Sequence, residues 1–155
     1  RMPKQRENIK ICLISSSGGH YEQLRMLAKL ADDFNVFWVT EGTDYASEAD
    51  YYLLQTGLKD KLFIIKMIIN FFKTVFIWYK ERPDFVITTG TMIVLPMAIL
   101  AKLFRKKLIY IESFARVYDR SRFGSLMYKF ADLFIIQWES LKEVYPNAIY
   151  GGSIY

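Results

Sequence analysis

"ICLISSSGGHYEQL", Ile11 to Leu24, passes from an apolar run through serines and glycines into a helical pattern. Ile9 to Ser15 is short, apolar and bounded by Ser and Gly, as expected of a strand covered on both faces. From Gly19 to Ala31 the apolar Leu24, Leu27, Ala28, Leu30 and Ala31 predict a helix that packs one face. Strand, glycine turn and helix make the opening unit of a parallel α/β sheet.

The unit recurs along the chain. Strands are expected at 35–40 ("NVFWVT"), 50–55 ("DYYLLQ"), 84–90 ("DFVITTG"), 106–113 ("KKLIYIES"), 132–137 ("DLFIIQ") and 147–152 ("NAIYGG"), with a turn at 56–61 ("TGLKDK"). Helices are expected at 62–80, closed by Pro83, at 93–104 with Pro96 in the first turn, at 123–131, and briefly at 139–145. The pattern predicts α/β: one Rossmann-like, doubly wound parallel sheet over residues 9–155, preceded by a charged tail at 1–8. Ligands of such sheets bind beyond the carboxyl ends of the strands. Four loops fall there, at 15–20, 88–92, 112–122 and 137–139, and the distinctive residues collect in them.

Composition narrows the partners. The 155 residues are 52% hydrophobic and 24% charged, and the 17% aromatic content is enough to suggest a surface covered by something else. A net charge of +5 suits phosphates, anionic lipid or nucleic acid. Nucleic acid is disfavoured because the aromatics do not interleave with the basic cluster as stacking platforms would. Cys12, the single cysteine, can form no internal disulfide, and "RMPKQRENIK" has no apolar core of a leader, so a cytosolic setting is expected.

"SSSGGH" satisfies neither the Walker A pattern nor GxGxxG. Its backbone amides at Ser17, Gly18 and Gly19 still open a helix, where free N–H groups and the dipole favour a diphosphate or an oxyanion. The glycines could equally serve only a tight turn. His20 is the sole histidine; a neutral imidazole at a cleft can act as general base, although a lone histidine is often structural. Glu22 could orient it. Thr89, Gly90 and Thr91 offer hydroxyls and amides at the same edge. Glu112 is expected either as an acid facing the cleft or as a capping or salt-bridged group. Arg116, with Arg120 and Arg122, could hold phosphate bidentately or form a solvated face.

Between Leu62 and Tyr79 only Lys66, Asn70, Lys73 and Thr74 are polar, more apolar surface than a core-facing helix needs. Two internal lysines argue against a membrane span. A basic stripe beside Ile68, Phe72, Phe76 and Trp78, with Lys73 among them, is the pattern of an interfacial helix. Burial in a larger core or a partner interface is the alternative.

"SSSGGH", "ERPDFVITTGTMIVLP", "IYIESFARV" and "ADLFIIQWESLKEVYPNAIYGG" together resemble the N-terminal halves of MurG-like GT-B glycosyltransferases, from about Ile9 to Tyr155. The chain is most similar to families that exist as that half alone. These are the bacterial PssD/CpsF/EpsE-type polysaccharide subunits and the eukaryotic membrane-anchoring subunit of the dolichol-linked N-acetylglucosaminyltransferase. The resemblance implies a GT-B half-domain that docks on a membrane and binds a polyprenyl-diphosphate-linked sugar. A separate PssE-like partner, resembling the C-terminal half of MurG, would bind the UDP-sugar. In such a reaction the catalytic candidates are His20, as base for the acceptor hydroxyl or as a polar contact to it, and Glu112, to orient the acceptor or shape the partner cleft; Ser17, Gly18, Gly19, Thr89, Gly90, Thr91 and Arg116 are the expected acceptor or phosphate contacts, and no metal or cofactor is expected. The eukaryotic subunit carries an N-terminal transmembrane helix that is not seen in this sequence, so a bacterial, peripheral protein of capsule or exopolysaccharide synthesis is expected.

Overall fold

A computed structural model describes residues 8–43, 48–57 and 59–155. Apart from Asn8, the charged tail expected at 1–8 lies outside the described residues, as does Leu58 of the turn expected at 56–61.

The elements run β1 (Lys10–Ser15), α1 (Gly19–Arg25), α2 (Leu30–Asp33), β2 (Asn35–Gly42), β3 (Tyr51–Leu54), α3 (Phe63–Glu81) and β4 (Phe85–Gly90). A 3₁₀ turn (Met92–Val94), α4 (Leu95–Leu103), β5 (Lys107–Ile111), α5 (Arg122–Phe130), β6 (Leu133–Ile136), a second 3₁₀ turn (Glu139–Glu143) and β7 (Ile149–Tyr150) follow. The seven strands form one sheet in the order β3-β2-β1-β4-β5-β6-β7, every pair parallel. The order reverses between β1 and β4, so the loops after these two strands diverge and leave a crevice at the carboxyl edge.

Alternation along the strands feeds two cores. Cys12, Ile14, Phe37 and Val39 face α3, α4 and α5 with Ile77, Met97 and Met127. Ile11, Leu13 and Ile87 face α1 with Tyr21 and Leu24. Burial pushes the Cys12 thiol well above the usual cysteine range, with Glu81 adding to the effect, so it stays an inert packed group.

The first helix is shorter than expected, and the helix expected at 139–145 is a 3₁₀ turn at Glu139–Glu143. The helix read over 19–31 stops at Arg25, and i→i+3 bonds such as Met26 N to Gln23 O (3.1 Å) and Leu27 N to Leu24 O (3.0 Å) take over. This tighter winding keeps Leu27, Leu30 and Phe34 against the sheet.

α3 is turned inside out. Its buried residues are Asn70, Thr74, Ile77 and Trp78, while Ile64, Ile68, Phe72 and Phe76 form an outward row at i, i+4 spacing. The buried amide has work to do there. Asn70 Oδ1 accepts from Leu54 N (2.8 Å) and Nδ2 donates to Leu54 O (2.9 Å), closing the end of edge strand β3 as another strand would. Thr74 Oγ1 donates to the Asn70 backbone carbonyl at 2.7 Å.

Candidate functional site

The crevice is closed at its base by bonds between the loops after β1 and β4. Ser16 N donates to Gly90 O (2.7 Å), and Thr89 Oγ1 donates to the His20 carbonyl (2.7 Å). His20 Nδ1 lies 2.9 Å from the Thr89 carbonyl. A carbonyl only accepts, so Nδ1 carries a proton, and in a neutral ring the lone pair is then on Nε2. The half-buried imidazole is thereby fixed in both orientation and tautomer. Gly90 is set by its backbone: at φ 109° any side chain is strained, while a Cβ there would meet the His20 ring only in ordinary contact at 3.8 Å.

The structure gathers Ser17, Gly18, Gly19, His20, Thr89, Gly90 and Thr91 at this edge but gives several of them other work. Thr89 is fully buried, and its hydroxyl is spent on the His20 carbonyl, so it braces the site and does not contact an acceptor. Ser17 N and Oγ both donate to Glu41 Oε1, at 2.9 and 3.1 Å, and Thr56 N approaches Oε2 at 3.3 Å. This corrects the expected phosphate contact at Ser17, because a carboxylate already occupies that amide and would repel a phosphate. Gly18 and Gly19 remain exposed, and Thr91 Oγ1 reaches Ser16 Oγ at 3.5 Å.

Glu112 does not face the crevice. It is wholly buried and accepts from Tyr110 Oη (3.0 Å), Tyr145 Oη (2.7 Å), Ser121 Oγ (3.0 Å) and Ser113 N (3.1 Å). Hydroxyls and an amide compensate the buried charge. Ser121 in turn caps α5 through Gly124 N at 2.8 Å. A Cβ at Gly124 would fall 2.1 Å from Glu112 Oε2, so only glycine lets α5 start this close to the carboxylate. Glu112 therefore sets the shape of the 113–122 loop from inside.

A second buried network joins that loop to α1. Gln23 Oε1 accepts from Phe114 N (3.0 Å) and Gln137 Nε2 (2.9 Å), and Gln137 Nε2 also reaches the Glu112 carbonyl at 3.0 Å. The residues after β7 return to the same place, where Ile154 N donates to Gln137 Oε1 (2.9 Å) and Tyr155 packs edge-on to Phe114. Arg116 pairs with Asp119 at 3.0 Å within its own loop. Arg120 donates to the Val144 carbonyl and lies over the Tyr145 ring, and Arg122 is exposed.

On the far side of the helical layer, Ile68 and Phe72 stand out from α3, Phe72 being 65% exposed, and Phe76 and Ile64 flank them. Lys73 is exposed beside them with its ammonium 3.5 Å from the Tyr52 carbonyl. Trp78 is a correction. Only 4% of it is exposed, and it stacks on Phe104 at 5.6 Å, because its position falls on the sheet side of the helix. The apolar exterior continues through Phe104, Ile99 and Leu103 to Phe130, around a cavity of about 540 Å³ between α4 and α5. Among the described residues no helix is long and apolar enough to cross a membrane.

Residues 60–154 match the family described as oligosaccharide biosynthesis protein Alg14 like. The human UDP-N-acetylglucosamine transferase subunit ALG14 is 30% identical, over 96% of this chain and 84% of its own. The chain belongs to the Alg14 family. The Candida albicans subunit of the same name is 29% identical over 96% of this chain and 81% of its own. Among solved structures, Acinetobacter baumannii MurG superposes with a TM-score of 0.67 at 13% identity, over 85% of this chain. The UDP-GlcNAc 2-epimerase of Methanocaldococcus jannaschii gives 0.67 at 16% identity, over 87%. These likenesses place the fold in the Rossmann-like half shared by GT-B enzymes and epimerases. This Alg14-family chain spans about two fifths of either protein, 42% and 41%.

The Glu112 knot predicts how stability depends on alkali. Burial first, and then Glu112, push the Tyr110 and Tyr145 phenols well above the usual tyrosine range. Below pH about 10 both are protonated whether folded or unfolded, so their contribution to stability is whole. Above it only the unfolded chain ionises them, and stability falls by about 1.4 kcal/mol per pH unit per tyrosine. In denaturant unfolding between pH 10 and 11.5, Tyr145→Phe should remove one such share of the slope; an unchanged slope would contradict the burial of that hydroxyl against Glu112.

Proposed function

We propose that this chain is the acceptor-binding, membrane-docking subunit of a two-chain glycosyltransferase. What carries the reading is the outer surface of α3 on a chain whose relatives are named as transferase subunits. Ile64, Ile68, Phe72 and Phe76 are too exposed for a free aqueous face, and Lys73 and Lys80 border them as an interfacial helix requires. The outward apolar row would sink into the lipid boundary, leaving the lysines at anionic headgroups.

In this reading the donor is a UDP-sugar, UDP-N-acetylglucosamine by the relatives' names, held mainly by a partner similar to the C-terminal half of MurG. The acceptor is a sugar on a polyprenyl diphosphate. Its hydroxyl oxygen forms the new bond to the donor's anomeric carbon as the bond from that carbon to the UDP oxygen breaks. The hydroxyl proton passes to His20 Nε2, the nitrogen left open by the Thr89 bond. Gly18 and Gly19 amides and the Thr91 hydroxyl contact the acceptor diphosphate. Arg116 joins them by exchanging Asp119 for phosphate, since an exposed pair of that kind is worth at most about 1 kcal/mol. Glu112 positions the 113–122 loop. Capsule or exopolysaccharide assembly at the cytoplasmic face of a bacterial membrane is the setting that the half-chain resemblance supplies.

With the partner present, His20→Ala should lower turnover roughly 100- to 10,000-fold at unchanged complex formation. A wild-type rate would assign all chemistry to the partner and leave this chain as its anchor and activator. The docking face is tested on the chain itself. It should sediment with vesicles containing anionic lipid, and Phe72→Ser with Phe76→Ser should release it; unchanged sedimentation of the double variant would rule out this face.

A further inference from the structure

Among the described residues, one buried side-chain polar atom lacks a hydrogen-bond partner: Thr40 Oγ1, on a residue 1% exposed. Buried hydroxyls are almost always paired, because an unpaired one gives up its bonds to water and gains nothing. Thr40 is the sixth residue of β2, and alternation puts it on the same sheet face as Trp38, whose ring meets Tyr21 of α1 edge-on at 6.1 Å. Thr40 lines a cavity of about 320 Å³ at the carboxyl edge, between β2 and the loop that leads to His20. Tyr21, Glu22, Glu41 and Gln55 share the lining. This is the end of the strand that the four loops singled out in the sequence left out.

The lining selects a class of ligand. Glu41 Oε1 is filled by Ser17, but Oε2 has only the 3.3 Å approach of Thr56 N and keeps room to accept. Glu22 is an exposed second carboxylate, and Gln55 can both donate and accept. Two carboxylates disfavour a phosphate and accept from hydroxyls, while Thr40 can give or take a single bond. The volume is at the low end of small-molecule cavities, enough for about one ring.

We propose that this cavity is a subsite for a neutral, hydroxyl-rich ring, a hexose, that takes the unpaired Thr40 hydroxyl as its buried contact. Resting on the function proposed above, the ring belongs to the acceptor sugar, and Ser17 and Gly18, which line the cavity, lie in the loop that carries His20. The diphosphate then lies outside the cavity, away from Glu41.

Thr40→Val keeps the shape of the side chain and removes the hydroxyl, so fold and binding should respond in opposite directions. The Tm should hold or rise, because an unpaired buried oxygen is replaced by a methyl. The isotope-labelled chain is titrated with methyl N-acetyl-β-glucosaminide and followed by amide shifts. Saturable shifts are expected at 17–22 and 40–43, weaker with N-acetylglucosamine 1-phosphate, and about tenfold weaker in Thr40→Val. No saturable shift, or equal titration of the valine variant, would overturn the proposal; the second result would mean that the hydroxyl serves a water only. In the reconstituted pair, Thr40→Val should raise KM for the acceptor about tenfold and leave KM for the UDP-sugar unchanged. An inactive wild-type pair would sink the transferase reading, while the titration still decides the subsite.

Discussion

The bond from His20 Nδ1 to the Thr89 carbonyl is the constraint on which the site depends. It joins the first residues of α1 to the end of β4 across the point where the strand order reverses. It also decides which ring nitrogen is free. The bond is returned by Thr89 Oγ1 to the His20 carbonyl, and the Ser16–Gly90 bond and the φ of Gly90 make the loops fit. A parallel sheet offers an open crevice at this place, and here two loops are tied together with the imidazole held between them. The Glu112 knot and the Gln23–Gln137 network extend the same rigidity to the loop after β5 and to the last residues described.

The other organising fact is the reversal of α3. A helix over a sheet normally hides its apolar side. This one hides an asparagine and a threonine beside Ile77 and Trp78 and turns isoleucines and phenylalanines outward. Asn70 can sit inside because both of its polar groups close on the Leu54 backbone. The cost of the outward surface makes sense only if something apolar covers it. The crevice at His20 and the outward face of α3 lie on separate parts of one domain, an arrangement that, under the function proposed above, would hold the head of a lipid-anchored acceptor in place.

The parallel sheet and the Alg14 relationship were legible in the sequence because apolar, β-branched runs alternate with helical patterns throughout. The motifs "SSSGGH", "TTGT", "IESFAR" and "QWES" all stand at strand ends. The meeting of His20 with 89–91 was legible for the same reason. What was not legible depends on side-chain direction over long separations. Glu112 ends a strand, which marks the carboxyl edge, yet whether it points to the crevice or inward is settled by Tyr145 and Gly124, distant in sequence. Trp78 reads as part of an aromatic face until its position around the helix is fixed by Ile77 and Thr74 turning inward. Glu41 gave the weakest signal, one carboxylate after a strand, and its hold on Ser17 takes that one amide of the glycine loop out of play. A fifth loop at the end of β2 was the cue available, since every parallel strand delivers its last residues to the same edge.

The central claim, that this chain is the acceptor half of a divided transferase, is tested most directly by transfer of labelled N-acetylglucosamine from UDP-N-acetylglucosamine to a polyprenyl-diphosphate-linked sugar in vesicles. The two purified chains are assayed separately and then together. Background transfer is expected from this chain alone and from the donor-binding partner alone, and sustained transfer only when both are bound to the vesicle. Robust transfer by this chain without a partner, or by the partner without this chain at equal rate, would contradict that claim.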